Sequence, residues 1–120
     1  MPQISVDYSA GLAGSFDRRA LGLAINRLAV STIDAKPEAC KTLFRANDEF
    51  VVGESEGADA QVYVQFQIFP GRTPEAKAAL SEGVLALLAA HVTPPAGTRL
   101  YTAVSVEDID RGSYRNASAA

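Results

Sequence analysis

One strand-and-helix pattern is written twice along this chain. Ile4, Val6 and Tyr8 alternate with Gln3, Ser5 and Asp7, the period-two mark of a half-buried strand. The same alternation returns at Val62, Val64, Phe66 and Ile68, set against Tyr63, Gln65 and Gln67. A helix pattern follows each. Ser15 or Asp17 is placed to cap the first, over about 16–32, with Leu21, Ala24, Ile25 and Leu28 on one face. Thr73 caps the second and Pro74 suits its first position. That helix runs to about His91, with Leu80, Val84, Leu87, Leu88 and His91 aligned, before Pro94, Pro95 and Gly97 end it. A second strand closes each half: Lys41 to Val52, with a bulge or turn at 47–49, and Arg99 to Val106.

The halves are offset by about 58 residues, so Ile4 falls on Val62, Val6 on Val64, Tyr8 on Phe66, Pro37 on Pro95 and Lys41 on Arg99. The pattern reads as a tandem duplication. One unit of roughly 60 residues is too short for a comfortable core, and two fused units of 120 residues are not. Each β-α-β crossover should be right-handed with parallel strands. The expectation is an α+β fold, βαββαβ, with a four-stranded mixed sheet and both helices on one face. It forms a single domain over 1–120, with repeats at 2–56 and 60–110 and a polar tail at 111–120. The other sheet face, carrying Tyr and Gln, leaves room for a ring-shaped oligomer to cover it.

Composition narrows the function. The net charge of -3 gives no basic footprint, which argues against nucleic acid. The longest apolar stretch, between Gly83 and Val92, is far short of a membrane span. The start, MPQISVDYSAGL, has neither a basic region nor an apolar core, so no signal peptide is read and a cytoplasmic location is expected. One Cys and one His exclude an internal disulfide and a Cys/His zinc site, and leave any Ser-His-Asp triad dependent on His91. No metal or cofactor is expected.

Pro2 is the sharpest chemical feature. Removal of Met1, favoured by a small second residue, leaves a secondary amine. Apolar burial and nearby cations lower an amine's pKa, and a neutral amine near pH 7 is a good general base. Its plain alternative is chance, since Pro is common. Arg72, in PGRTPEAK, precedes the helix that Thr73 caps, where an anion would be held by both the guanidinium and the helix N-terminus. Its plain alternative is a solvated turn. Lys41 and Arg99 open the two second strands, as strand-end charges or pocket cations, and Arg45 follows on the side of Lys41. Arg115 and Asn116 lie in a tail of the kind that covers a neighbouring subunit. His91 reads as a packed residue or helix-dipole partner, Cys40 as a small apolar filler. The pairs Asp48/Glu49 and Glu107/Asp108 read as solvated turns.

Taken together, these residues resemble the 5-carboxymethyl-2-hydroxymuconate Δ-isomerase family. The start is similar to that family's Met-Pro-His, short strand and acid-Tyr-Ser: Pro2, Asp7, Tyr8 and Ser9 match, with Gln3 for His and Gly11 for Asn. NDEFVVGES and VQFQIFPGRTPEAK are similar to its Asp-Glu-Tyr stretch and its Gly-Arg-Ser/Thr helix start, and SVEDID also fits. The second half alone resembles 4-oxalocrotonate tautomerase, whose subunit is one such unit. The resemblance implies a cofactor-free tautomerase of the superfamily, with aromatic-compound catabolism as its setting and a homotrimer as its assembly. It implies Pro2 as the base for a small carboxylated enol, and Arg72 as the cation for a substrate carboxylate. Lys41 stands where the family has Arg, for a second carboxylate; Leu43 replaces another family Arg. Arg45, Arg99, Tyr114 or Arg115 remain as further binding, lining or neighbour-supplied groups. Half two offers Ala60 or Asp59 against Pro2, and half one offers Gly14 or Ser15 against Arg72, so one site per chain is expected. Two other readings stand. One is a decarboxylase, or a hydratase or dehalogenase of unsaturated acids, helped by Tyr63 or Tyr114. The other is a non-catalytic ferredoxin-like ligand-binding module.

Overall fold

A computed structural model describes all residues, 1–120. Its elements are β1 (Gln3–Ser9), α1 (Arg18–Ile33), β2 (Lys41–Asn47), β3 (Asp59–Ile68), α2 (Pro74–His91) and β4 (Arg99–Asp108), with single 3-10 turns at Ala10–Leu12 and Pro37–Ala39. The sheet order is β2-β1-β3-β4. β1 and β2 are parallel, β3 and β4 are parallel, and β1 meets β3 antiparallel at the centre. This is the expected four-stranded mixed sheet built from two β-α-β units.

The alternation of β1 and β3 sends Ile4, Val6, Tyr8, Val62, Val64, Phe66 and Ile68 to one face, where all are buried with both helices in one core. Fully burying such a side chain contributes roughly 1.5–3 kcal/mol. Of the two cap candidates it is Asp17 that works: its Oδ1 accepts from the Ala20 amide at 3.0 Å, so α1 starts at Arg18. Thr73 Oγ1 accepts from Ala76 at 3.1 Å, with Pro74 opening α2 as expected. The buried line of α1 is Leu21, Gly22, Ile25, Ala29 and Ile33; Ala24 and Leu28 are only half-buried. In α2 the buried line is Leu80, Val84 and Leu88, with Leu87 and His91 at its margin. The helices come close because α2 has a glycine at the crossing: a Cβ on Gly83 would meet Leu28 Cδ2 at 2.8 Å. No helix is long and apolar enough to cross a membrane.

Two boundaries and one repeat match differ from expectation, each for a reason of pairing. β2 stops at Asn47 rather than Val52, because its only partner, β1, ends opposite at Ser9. β4 runs on to Asp108, because β3 offers a ladder as far as Ile68. The match of Lys41 with Arg99 also fails in register. Lys41 sits beside Gln3, whereas the β4 residue beside Gln61 is Tyr101, two positions beyond Arg99. The helices show the same slippage half-way: Leu21, Ile25 and Ala29 match Leu80, Val84 and Leu88, one residue further on than the first strands match. The second unit therefore carries one extra residue on each side of its helix.

Candidate active site

β1 begins at a point enclosed by three segments. Pro2 is buried there, and its carbonyl accepts from the Lys41 amide at 3.2 Å, extending the β1–β2 ladder by one step. That bond seats Lys41 beside Pro2. The Lys41 side chain is exposed, its Nζ within 3.4 Å of the Ala39 carbonyl. Cys40 is buried next to it with Sγ toward the Lys36 carbonyl at 3.4 Å. Burial pushes its thiol pKa up, so Cys40 stays a neutral neighbour.

Arg72 arrives from the opposite half of the chain. Gly71, at φ 119°, makes the turn after β3 in a conformation that only glycine adopts cheaply. The guanidinium then spans two carbonyls: Nη1 donates to Phe69 at 3.3 Å and Nη2 to Ile33 at 3.2 Å. Ile33 is the last residue of α1, and Asp34 closes that helix in the left-handed region at φ 54°. Arg72 thus satisfies an orphan carbonyl and lies at the negative end of α1's dipole. The sequence suggested only its position ahead of α2. In the fold it is half-buried and clamped, not a solvated turn residue.

The electrostatic result falls on the amine. The Met1 amino group lies below its ordinary range, first through burial, then through Lys41; Cys40 opposes this and Arg72 adds to it. With Met1 removed, the amine would be that of Pro2, one residue deeper among the same groups. A cavity of about 250 Å³ opens beside it, walled by Gln3 and Gln67 of the sheet and by Ile109, Asp110, Ser113 and Tyr114 of the tail. The tail is folded in by aromatic contact. Tyr114 meets Phe69 edge-on at 5.2 Å, and the Arg111 guanidinium lies 4.1 Å over the Phe69 ring.

The structure therefore brings Pro2, Lys41, Arg72 and Tyr114 to one place, and leaves the other candidates elsewhere within the chain. Arg45 faces the same side as Lys41, but four residues further along it is taken by its β1 partner Asp7, through Nε–Oδ1 at 2.9 Å and Nη2–Oδ2 at 3.0 Å. Arg99 lies at the other end of the sheet, because β3 and β4 run opposite to β1; its guanidinium rests 5.5 Å from the Tyr101 ring. Arg115 closes the tail's own turn on the Gly112 and Tyr114 carbonyls. Sequence reasoning missed Gln67, Asp110 and Ser113 as wall residues. The signal was faint: a strand ended too early at Val106 hides the return of the tail to Pro2.

A buried proline at position 2, with Lys41 beside it and Arg72 close to the chain start, sits on a doubled β-α-β frame, and one family model matches that chain. The 5-carboxymethyl-2-hydroxymuconate isomerase model matches residues 2–117. The chain belongs to that family. Its members are isomerases, and the enzyme class follows. Among solved structures, the chain is similar to a 5-carboxymethyl-2-hydroxymuconate isomerase from Deinococcus radiodurans R1, at TM-score 0.81 and 18% identity, covering 98% of this chain and 90% of that one. It is similar to a fused 4-OT symmetric trimer at TM-score 0.74 and 23% identity, covering 98% and 93%. It is also similar to the FG41 malonate semialdehyde decarboxylase at TM-score 0.63 and 18% identity, covering 96% and 90%. At these identities the likenesses establish the tautomerase-like fold. No curated protein matches the chain.

Proposed function

We propose that this isomerase is a cofactor-free tautomerase that moves a proton within an unsaturated 2-hydroxy carboxylate, with the Pro2 amine as general base. The observation that carries the reading is the placing of Pro2: buried, beside Lys41, and within the field of the clamped Arg72. Both cations serve two ends. They add to burial in lowering the pKa of an amine at this point, which favours its neutral form, and they attract the substrate carboxylate. The neutral amine takes the enol proton. The dienolate that forms is held by Arg72 and Lys41, whose charge matters more as negative charge develops. The prolinium then returns the proton at the far carbon, and the amine is regenerated.

The assembly belongs to the same proposal. The sheet face away from the helices exposes Leu43 and Tyr63 among polar side chains, and the fused 4-OT relative is a symmetric trimer. A homotrimer covering that face would bring neighbouring side chains to each site. The small carboxylated enol is the expected partner, and a cytoplasmic location fits it. The test is an enol–ketone tautomerase assay on untagged protein, run with an intact mass. Active protein that lacks Met1 supports the reading. Full activity in protein that retains Met1 removes Pro2 as the base.

A further inference from the structure

Charge is divided along this chain. Between Arg45 and Arg72 there is no Lys or Arg, yet Asp48, Glu49, Glu54, Glu56 and Asp59 all fall there. The first four are exposed, in the loop that links β2 to β3. α1 is the converse. It carries Arg18, Arg19 and Arg27 and no acid from Arg18 to Ile33; Asp17 and Asp34 stand only at its caps. Neither set is balanced within the chain, whose two ion pairs are Arg45–Asp7 and Lys77–Asp108. Both sets sit on apolar ground. Val51, in the loop, is 84% exposed, far more than any other large hydrophobic residue. Beside α1, two cavities of about 230 and 310 Å³ share Leu23 and Asn26 and so form one groove. Leu23, Val30 and Phe44 give it apolar surface, and Arg19 and Arg27 line it as exposed cations. Phe44 belongs to the edge strand β2, which pairs with β1 alone and leaves its outer backbone groups free. The chain's own loop is directed elsewhere. Phe50 at its base meets the Tyr101 ring at 6.4 Å, and Tyr101, paired with Gln61, faces away from the helices. Arg99 rests on that same ring and pairs with none of the acids.

We infer that the groove between α1 and β2 is the docking site for the acidic loop, residues 48–56, of a second copy of this chain. This rests on the homotrimer reading above and names a contact that closes it. Val51 enters the apolar part of the groove, and the glutamates around it, Glu49 and Glu54, meet Arg19 and Arg27. Groove and loop are different surfaces of one chain, so the contact is head-to-tail, and a head-to-tail contact makes a ring when its rotation closes. Exposed ion pairs are individually weak. The apolar contact therefore supplies most of the affinity, and the charges fix which surface meets which.

Sedimentation equilibrium on the untagged, full-length protein tests this. Wild type should be a trimer. Arg19→Glu/Arg27→Glu and Glu49→Lys/Glu54→Lys should each weaken assembly about 10²-fold, because like charges then face each other. All four changes in one chain restore opposite charges across the contact and should recover most of the assembly. That recovery also shows that the reversed chains fold. Val51→Asp should weaken assembly about ten-fold by bringing a charge onto apolar surface. A trimer whose assembly neither charge pair moves, or a four-residue variant that does not recover, overturns the docking site and leaves the trimer standing. A monomeric wild type overturns both, while the tautomerase assay judges the Pro2 base independently of either.

Discussion

At one end of the sheet β1 leaves Pro2; at the other, β3 leaves Asp59 and Ala60, the matching positions of the second unit. Both ends hold a cavity, and the one at Ala60 is the larger, about 320 Å³ against 250 Å³. Their chemistry differs. The Pro2 end has Lys41 and Arg72. The Ala60 end has Asp48, Asp59, Asn47 and a buried Ser9, whose hydroxyl accepts from the Gln61 amide at 2.9 Å. Where Arg72 reaches the end of α1 through a guanidinium, the stretch after α2 is tied by plain backbone, Thr93 N to Ser15 O at 3.1 Å. Ala60 nitrogen is a peptide nitrogen and has no lone pair to lend a proton-transfer step. Repeating a scaffold duplicates shape and packing. It does not duplicate a chain-terminal amine, so size of cavity is a poor guide to chemistry here.

The largest effect should come from lengthening the chain ahead of Pro2. One added residue that cannot be cleaved turns the proposed base into an amide, and tautomerase kcat should fall about 10³-fold. Ala60→Pro should create no second site; a doubled number of active sites per chain would break the contrast. Next come matched core positions. Leu21→Ala in α1 and Leu80→Ala in α2 each empty a fully buried position and should cost roughly 2–5 kcal/mol in chemical denaturation, similar to one another. A cost confined to one helix would show that the two units are unequal in stability. Arg72→Ala should lower kcat/KM about 10²-fold, and Arg72→Lys should recover only part, because a point charge cannot span the Phe69 and Ile33 carbonyls.

The smallest effect is a displacement along the pH axis. Burial and then Lys41 lower the pKa of the Met1 amino group, and the same cation beside a Pro2 amine acts in the same direction, so its removal should raise that pKa. The base is neutral only above its pKa. In Lys41→Gln the acidic limb of the pH–kcat/KM profile should therefore move to higher pH. Tyr101→Gln, at the register-matched position of the second unit, should leave that limb in place. A limb that stays put in Lys41→Gln would separate Lys41 from the amine.

Much of this was legible before folding. Alternation in β1 and β3, the Asp17 and Thr73 caps and the proline at the head of α2 are local signals, each governed by neighbours within four residues. Pro2 and Arg72 stood out by position and type. What was illegible is long-range. Arg72 finds its carbonyl 39 positions away at Ile33, Arg45 is claimed by Asp7 across 38, and the two-residue slip between Lys41 and Arg99 is a matter of ladder register. No periodicity encodes which strand will lie opposite, so no local pattern distinguishes a pocket cation from one already paired.

The sequence by itself determined the doubled β-α-β frame and the buried faces, and singled out the proline proposed as the base, because side-chain period and cap chemistry act over a single turn or pleat. Only the tertiary structure decided which cations stand at that proline and which are paired elsewhere. Charge interactions depend on distance in space. That distance is set by strand order, register and the return of the tail, not by separation along the chain.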